Sequence, residues 1–358
     1  MTIHYLPLEP LAQRYTAQMY DRVVYALQET GRNYSVIEGG KSYETIRHGE
    51  WLDTVGTCHW RLAQLQATLS QLGSTILEGD TLLLGDVWFP GIEAIKQVAE
   101  LRGMTLNIAG WHYAGCFDTH DLLSKRLSSW GPKWEQALVE GILDGIAFGS
   151  SYHQAFVNRH CCLPYVSGAY GLVWFHDALT PHRTNERADR TSVVFNHRWA
   201  SEKRWQEFRY LSLAHQDKAD FYYSTNGEVP RMVAEQCVTA GIQIKKHTSK
   251  ERYYDWLARQ HVVWSGADQE TFGYAFMEAI ALGLQVVAPN RVAYPCHFER
   301  LDIDPAAYLY GADDPCGERM LVQAITDGIP IIPEEVASQY HDSVDRFLGD
   351  VLLWEDIG

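Results

Sequence analysis

The residues with the most chemical content lie between Ser265 and Gly283. One carboxylate, Glu270, sits in a polar loop, and a second, Glu278, follows eight positions later inside the run Phe272–Leu282, which holds no other charge. A helix that is apolar on nearly every side is a buried helix. A carboxylate inside it is costly unless it accepts hydrogen bonds, so Glu278 needs donors close by. The start of the same helix offers free amides and a partial positive charge, which suit a phosphate. Ribose hydroxyls on Glu278 and a diphosphate on those amides would together make a nucleotide site. The alternative is that Glu270 caps the helix while Glu278 pairs with a buried arginine.

Cations suited to such a ligand lie upstream. From Arg183 to Arg209 there are seven lysines and arginines against four acids, a balance of +3 in a chain whose net charge is −15. Fixed cations aimed at a departing diphosphate stabilise the charge that develops as a sugar–phosphate bond breaks. A solvated helix face with a charged linker is the alternative, and it explains Arg204 and Arg209 better than it explains Arg198.

In the first half, Asp86 with Trp88 follows one expected strand, and Trp111, His112 and Asp118 follow the next. Asp118 or Asp86 would orient or deprotonate an attacking hydroxyl if within hydrogen-bond reach, or would cap a turn. Trp88, Phe89, Trp111, Tyr113, Trp130 and Trp134 would stack on an extruded base, stack on a sugar, or fill the core. His160-Cys161-Cys162 and Cys58-His59 cannot assemble four metal ligands locally. The seven cysteines are odd in number with no C-x-x-C pair, which predicts reduced thiols and no metal site.

These residues must be carried by alternating strands and helices. The first half predicts strands at 3–6, 34–37, 81–84, 106–109 and 146–149, with helices over 16–29, 59–72, 91–101 and 134–143. The second predicts strands at 192–195, 221–224, 242–244, 262–265 and 285–288, with helices over 202–214, 230–239, 250–259 and 272–282. This is the pattern of parallel sheets covered on both faces, giving two doubly wound α/β, Rossmann-like domains. The expected organisation is a domain over 1–180, a linker over 181–190 where the composition turns polar and charged, and a nucleotide-sugar domain over 191–332. A helical segment over 333–358 is expected to pack back on the first domain. Ligands of open α/β sheets bind beyond the C-terminal strand ends, so the site is expected in a cleft where the two domains face each other.

Composition narrows the classes. With 46% hydrophobic and 21% charged residues the chain is of ordinary globular type, not disordered or fibrous. Apolar runs fall short of the roughly 20 residues of a membrane span, and no signal peptide opens the chain, so a cytoplasmic location is expected. The acidic balance means that a polyanionic partner needs a locally basic surface. No G-x-G-x-x-G follows the first strand, which argues against a dinucleotide-dependent oxidoreductase.

The setting E-T-F-G-Y-A-F-M-E-A-I-A-L-G resembles the E-x7-E signature of retaining glycosyltransferases of the two-domain GT-B type, and N-H-R-W-A-S-E-K-R carries their arginine followed five residues later by lysine. The resemblance implies a retaining transferase. In it Glu270 contacts the donor sugar and Glu278 holds the ribose. Arg198 and Lys203 hold the diphosphate, and Thr271, Phe272 and Gly273 complete the donor site. It further implies that His112 touches the sugar and the departing phosphate, that the donor is a UDP-sugar, and that no other cofactor is required. Retention without an obvious enzymic nucleophile suggests front-face attack, the leaving phosphate taking the proton.

The second half, with S-G-A-D-Q-E-T-F-G and A-P-N-R-V-A-Y-P, is similar to queuosine-tRNA mannosyltransferases. The stretches at 6–16, 85–95 and 111–121 look like glycosyltransferases of tailed bacteriophages, whose expected acceptor is a hydroxymethylated base in DNA, such as hydroxymethylcytosine. A phage-encoded protein would work in the host-cell cytoplasm. Arg14, Trp88 and Trp111 are then expected on the acceptor side, with DNA ahead of tRNA, and a small-molecule, lipid or glycan acceptor as the alternative.

Overall fold

The computed structural model describes residues 1–11, 14–40, 54–340 and 343–353. These fall into two compact units that divide between Trp174 and Phe175, with the C-terminal helix Ser343–Leu352 belonging to the first.

The first unit is a parallel six-stranded sheet of β1 (Ile3–Leu6), β2 (Tyr34–Val36), β3 (Thr81–Leu84), β4 (Asn107–His112), β5 (Gly145–Phe148) and β6 (Val166–Gly168), in the order β2-β1-β3-β4-β5-β6. β1, β3 and β5 are buried along their whole length. That is why their sequences are mostly apolar rather than alternating, with the buried His4 of β1 bonded to Ser35 and Asp80. The strand order reverses between β1 and β3, and the crevice at such a switch point is where this architecture binds ligands. The loops there run from Pro7 after β1 and from Gly85 after β3.

The second unit is a parallel sheet of β7 (Ser192–Phe195), β8 (Asp220–Thr225), β9 (Ile242–Lys246), β10 (Val262–Trp264), β11 (Gln285–Pro289) and β12 (Leu309–Tyr310), in the order β12-β11-β10-β7-β8-β9. Its core packs Phe195, Phe208, Phe221 and Trp264. The switch point lies between β7 and β10, where Val262 and Val263 pair with Val193 and Val194. The loops leaving those two strands begin at Asn196 and at Ser265.

Several elements differ from the sequence expectation. The segment 181–190, expected as a linker, is bonded to the second unit. Arg187 donates to the carbonyls of Thr184, Ala258 and Gly283, Ala188 N donates to Arg259 O, and Arg190 pairs with Asp220, all within the second unit. The helix expected from Glu202 is interrupted: a 3-10 turn over Ser201–Lys203 ends at Arg204, whose φ is 52°, before the helix Trp205–His215 begins. Arg204 is held in that left-handed conformation by Asp268 and Glu207. The segment after Pro333 is not one helix but a short helix Glu334–Ala337, a 3-10 turn Ser338–Tyr340 and the helix Ser343–Leu352. This last helix packs on the first unit through Arg22–Asp345 and through Phe347 against Trp111.

Candidate active site

The loops at the second unit's switch point gather the predicted donor residues. β7 delivers Asn196, His197 and Arg198, the 3-10 turn delivers Lys203, and the loop after β10 delivers Glu270. Lys203 is buried, and its Nζ lies 2.7 Å from Glu270 Oε1 while also bonding the Gln269 carbonyl. Arg198 pairs with Glu202 at 2.9 Å and keeps 32% of its side chain exposed. Burial alone would raise the Glu270 carboxyl, but Lys203, His197 and Arg198 outweigh it and hold it below its usual range.

His197 is the residue that sequence reasoning passed over, although it stands inside the quoted N-H-R. Its Nδ1 is 3.6 Å from Glu270 Oε1, and its buried Nε2 has no partner among the described residues. Burial pushes its pKa down to about 4, assisted by Lys203 and Arg198 and opposed by Glu270. It is therefore a neutral imidazole near pH 7, beside a carboxylate and two cations.

Glu278 is fully buried and has the donors its position demands. Lys250 Nζ is 3.1 Å from Oε1, and the Tyr253 hydroxyl donates to Oε2 at 2.8 Å. Its cation is thus a lysine, not the arginine considered from sequence. Asn196 in turn donates to the Tyr253 hydroxyl and to Ala275 O, so the end of β7 is tied to the Glu278 helix by a relay of hydrogen bonds.

That helix, Tyr274–Ala281, starts at Gly273, whose φ of 80° favours glycine. A Cβ there would also stand 3.2 Å from the Tyr294 ring. Phe272 is buried and its carbonyl accepts from His297, while Thr271 is half-buried. The loop before the helix is pinned on several sides. Arg291 donates to Gly266 O and Ala267 O, Asp268 receives Arg204 and Arg291, and Tyr310 donates to Ser265 O. Its amides and carboxylates are thus positioned before any ligand arrives.

In the first unit the outcome is mixed. Asp86 lies at the switch point, buried, with Arg61 at 2.6 Å and the Trp88 amide on its other oxygen. Trp88 is buried, its ring 4.7 Å from that of Trp134. Arg14 precedes the helix Tyr15–Glu29 and is half-buried at the end of the β1 loop.

Trp111 and His112 do not stand on a loop, because β4 runs on through His112. Both have no exposed surface. Trp111 packs on Phe347, and His112 Nε2 lies 3.0 Å from the equally buried Glu135, which also accepts from the Cys116 amide. Both side chains are thus engaged inside the first unit rather than standing on the loop expected from sequence. Asp118 caps its own turn by accepting from His120 N.

The predicted basic stretch is largely neutralised. Arg183, Arg187, Arg190, Arg198, Lys203 and Arg204 are each bonded to a carboxylate or a carbonyl. The seven cysteines are free; Cys161 is buried and Cys162 exposed. Among the described residues no group of three or more His, Cys, Asp or Glu could hold a metal, and no helix is long and apolar enough to cross a membrane.

No family model matches the chain. It is 27% identical over 129 residues to the tRNA-queuosine alpha-mannosyltransferase of Drosophila melanogaster, a match covering 34% of this chain; it spans about a third of that relative's length. Among solved structures it is similar to sucrose-phosphate synthase from Thermosynechococcus elongatus, with TM-score 0.69, 11% identity and coverage of 100% of this chain and 99% of that one. Anabaena HepE in complex with UDP and glucose gives 0.66 and 11%, covering 98% and 99%. TarM gives 0.58 and 14%, covering 82% of this chain and 58% of that one. Together with the two parallel six-stranded sheets, these likenesses show that the chain has the fold of the GT-B glycosyltransferases.

Proposed function

We propose that the chain is a retaining glycosyltransferase that moves a sugar from a UDP-sugar to a hydroxyl on a modified nucleic-acid base, a 5-hydroxymethylpyrimidine in phage DNA ahead of queuosine in tRNA. The observation that carries this reading is the cluster of Arg198, Lys203 and Glu270 at the switch point, with Glu278 eight residues further on. Lys203 is paired with Glu270. An arriving diphosphate competes for that ammonium and for Arg198, releasing Glu270 to accept hydrogen bonds from sugar hydroxyls. Ribose hydroxyls displace Lys250 and the Tyr253 hydroxyl from the buried Glu278, and the first amides of the helix Tyr274–Ala281 take phosphate oxygens. The cations then stabilise the charge gathering on the leaving diphosphate, which receives the acceptor's proton during front-face attack. Asp86 and Trp88 are assigned to the acceptor, while His112 is left to hold Glu135, which accepts from the Cys116 amide. UDP in the HepE complexes supports the choice of donor base.

The test is incubation with radiolabelled UDP-sugars and hydroxymethylcytosine DNA, plain DNA or tRNA. Label in the modified DNA is expected. Label in tRNA alone would favour the queuosine reading, which the mannosyltransferase match supports. Label in none would remove nucleic acid as the acceptor and favour a small-molecule, lipid or glycan hydroxyl, in keeping with the neutralised basic stretch.

A further inference from the structure

If the cations of 183–204 are spent on the second unit's own carbonyls and carboxylates, a nucleic-acid acceptor must be met elsewhere. The first unit has such a place. Between Leu122 and Trp134 the sequence carries Lys125, Arg126 and Lys133 and no acid. These residues form the helix Leu122–Leu127 and the start of the helix Gly131–Gly141, joined by Ser128, Ser129 and Trp130. All three cations are exposed, and none has an ion-pair partner among the described residues. The nearest preceding acids, Asp118 and Asp121, are occupied by the amides of His120 and Leu123.

Trp130 stands between these cations with 48% of its surface exposed. It is not a loose loop residue. Gly131, the first residue of the helix, is so closely packed that a Cβ there would come 2.3 Å from Cys116 Sγ, and Pro132 follows in the first turn. The Trp130 ring meets Trp134 edge-on at 6.4 Å, and Trp134 meets Trp88 at 4.7 Å. The Trp88 amide is bonded to Asp86. A row of indoles thus leads from an exposed, positively charged face to the residues at the switch point of the first sheet.

We propose that the turn over 122–134 is a docking surface for a nucleic acid with an unstacked base, the phosphates lying on Lys125, Arg126 and Lys133 and a base stacking on Trp130. The inference rests on the nucleic-acid acceptor argued above. Cations supply affinity without sequence preference, and a fixed aromatic face supplies a stacking platform that accepts any base. One tryptophan and the half-exposed Leu122 are a small apolar area for insertion into a lipid surface, which makes the polyanion the better fit.

The experiment measures binding of a fluorescein-labelled single-stranded DNA oligonucleotide to the full chain by anisotropy, between about 50 and 200 mM salt. Wild type is compared with Trp130→Ala and with the triple variant Lys125→Glu, Arg126→Glu, Lys133→Glu. Trp130→Ala is expected to weaken binding about five- to a hundredfold with the salt dependence unchanged. The triple variant is expected to lower the logarithmic salt slope by about 2, from three phosphate contacts at roughly 0.7 each. In both variants the UDP-dependent rise in melting temperature should equal wild type, showing an intact second unit. No oligonucleotide binding by wild type, or equal binding by all three proteins, overturns the surface. So does loss of binding to phosphatidylglycerol vesicles in place of DNA. If DNA binds as described but receives no sugar, the surface stands and the acceptor reading falls.

Discussion

Lys203 and Glu270, 67 positions apart in sequence, meet as an ion pair 2.7 Å long with little solvent on either side. The pair joins the turn after β7 to the loop after β10. Removing one partner of a buried pair leaves the other charge uncompensated, at a cost of about 3 kcal/mol. Lys203→Met and Glu270→Gln should each lower the denaturation midpoint in urea. The double variant should lose less than the sum of the singles, because the two changes remove one shared interaction. Strictly additive losses would show that the pair contributes nothing to the fold.

The same cluster makes stability depend on pH. His197 has its pKa depressed to about 4 in the folded protein, against about 6.5 when unfolded. Between those values the unfolded chain binds the extra proton, so the contribution is present above about pH 6.5 and is lost as pH falls towards 4. The whole effect is of the order of 3 kcal/mol. Glu270, also held low, adds loss in the same direction at more acid pH. Unfolding free energies of wild type and His197→Asn should therefore converge on the acid side of this window, and parallel profiles would contradict the buried neutral imidazole.

Glu278→Gln addresses the nucleotide. An amide accepts hydroxyl hydrogen bonds less strongly than a carboxylate. The variant should therefore bind UDP at least about tenfold more weakly and lose most of the UDP-dependent rise in melting temperature. In wild type, UDP should raise that temperature more than ADP or GDP. If Glu278 serves only Lys250 and Tyr253, the ligand-free melting temperature falls and the UDP effect survives.

Trp111 separates packing from binding. It is fully buried against Phe347 of the C-terminal helix, so Trp111→Ala should cost about 3–5 kcal/mol of stability. Phe347→Ala should be of similar kind, and neither should change the acceptor KM at temperatures where the protein stays folded. A raised acceptor KM with normal stability would return Trp111 to the acceptor side.

How much of this was legible in the sequence depended on the range of the interactions. β1, β3 and β7 have the bounds expected from their mostly apolar sequences, because a strand covered on both faces leaves its burial in composition. β4 extends beyond Ala109 because Trp111 and His112 find buried partners, Phe347 and Glu135, that lie far along the chain. The loop helix Leu122–Leu127 and the strands β6 and β12 are too short to show a period. Glu278 could be seen to need donors, yet Lys250 and Tyr253 sit 28 and 25 positions away and no local pattern names them. Arg61 beside Asp86 is invisible for the same reason. His197 carries a usable signal, since it stands directly before Arg198, but a lone histidine at a strand end is unremarkable until its neighbours are known.

Whether the cations after β7 serve a departing diphosphate is decided by steady-state transfer by Arg198→Ala and Arg198→Lys. Arg198 is a third exposed and bonded to Glu202, so its loss should leave the fold largely intact. Interactions stronger in the transition state raise kcat rather than lower KM. Arg198→Ala is therefore expected to reduce kcat by about a hundredfold or more, with a much smaller change in the donor KM. Arg198→Lys should recover little, because a point charge does not replace a planar fork. Unchanged turnover, accompanied by a lowered melting temperature, would show that Arg198 is a structural partner of Glu202 and that the cluster does not drive transfer.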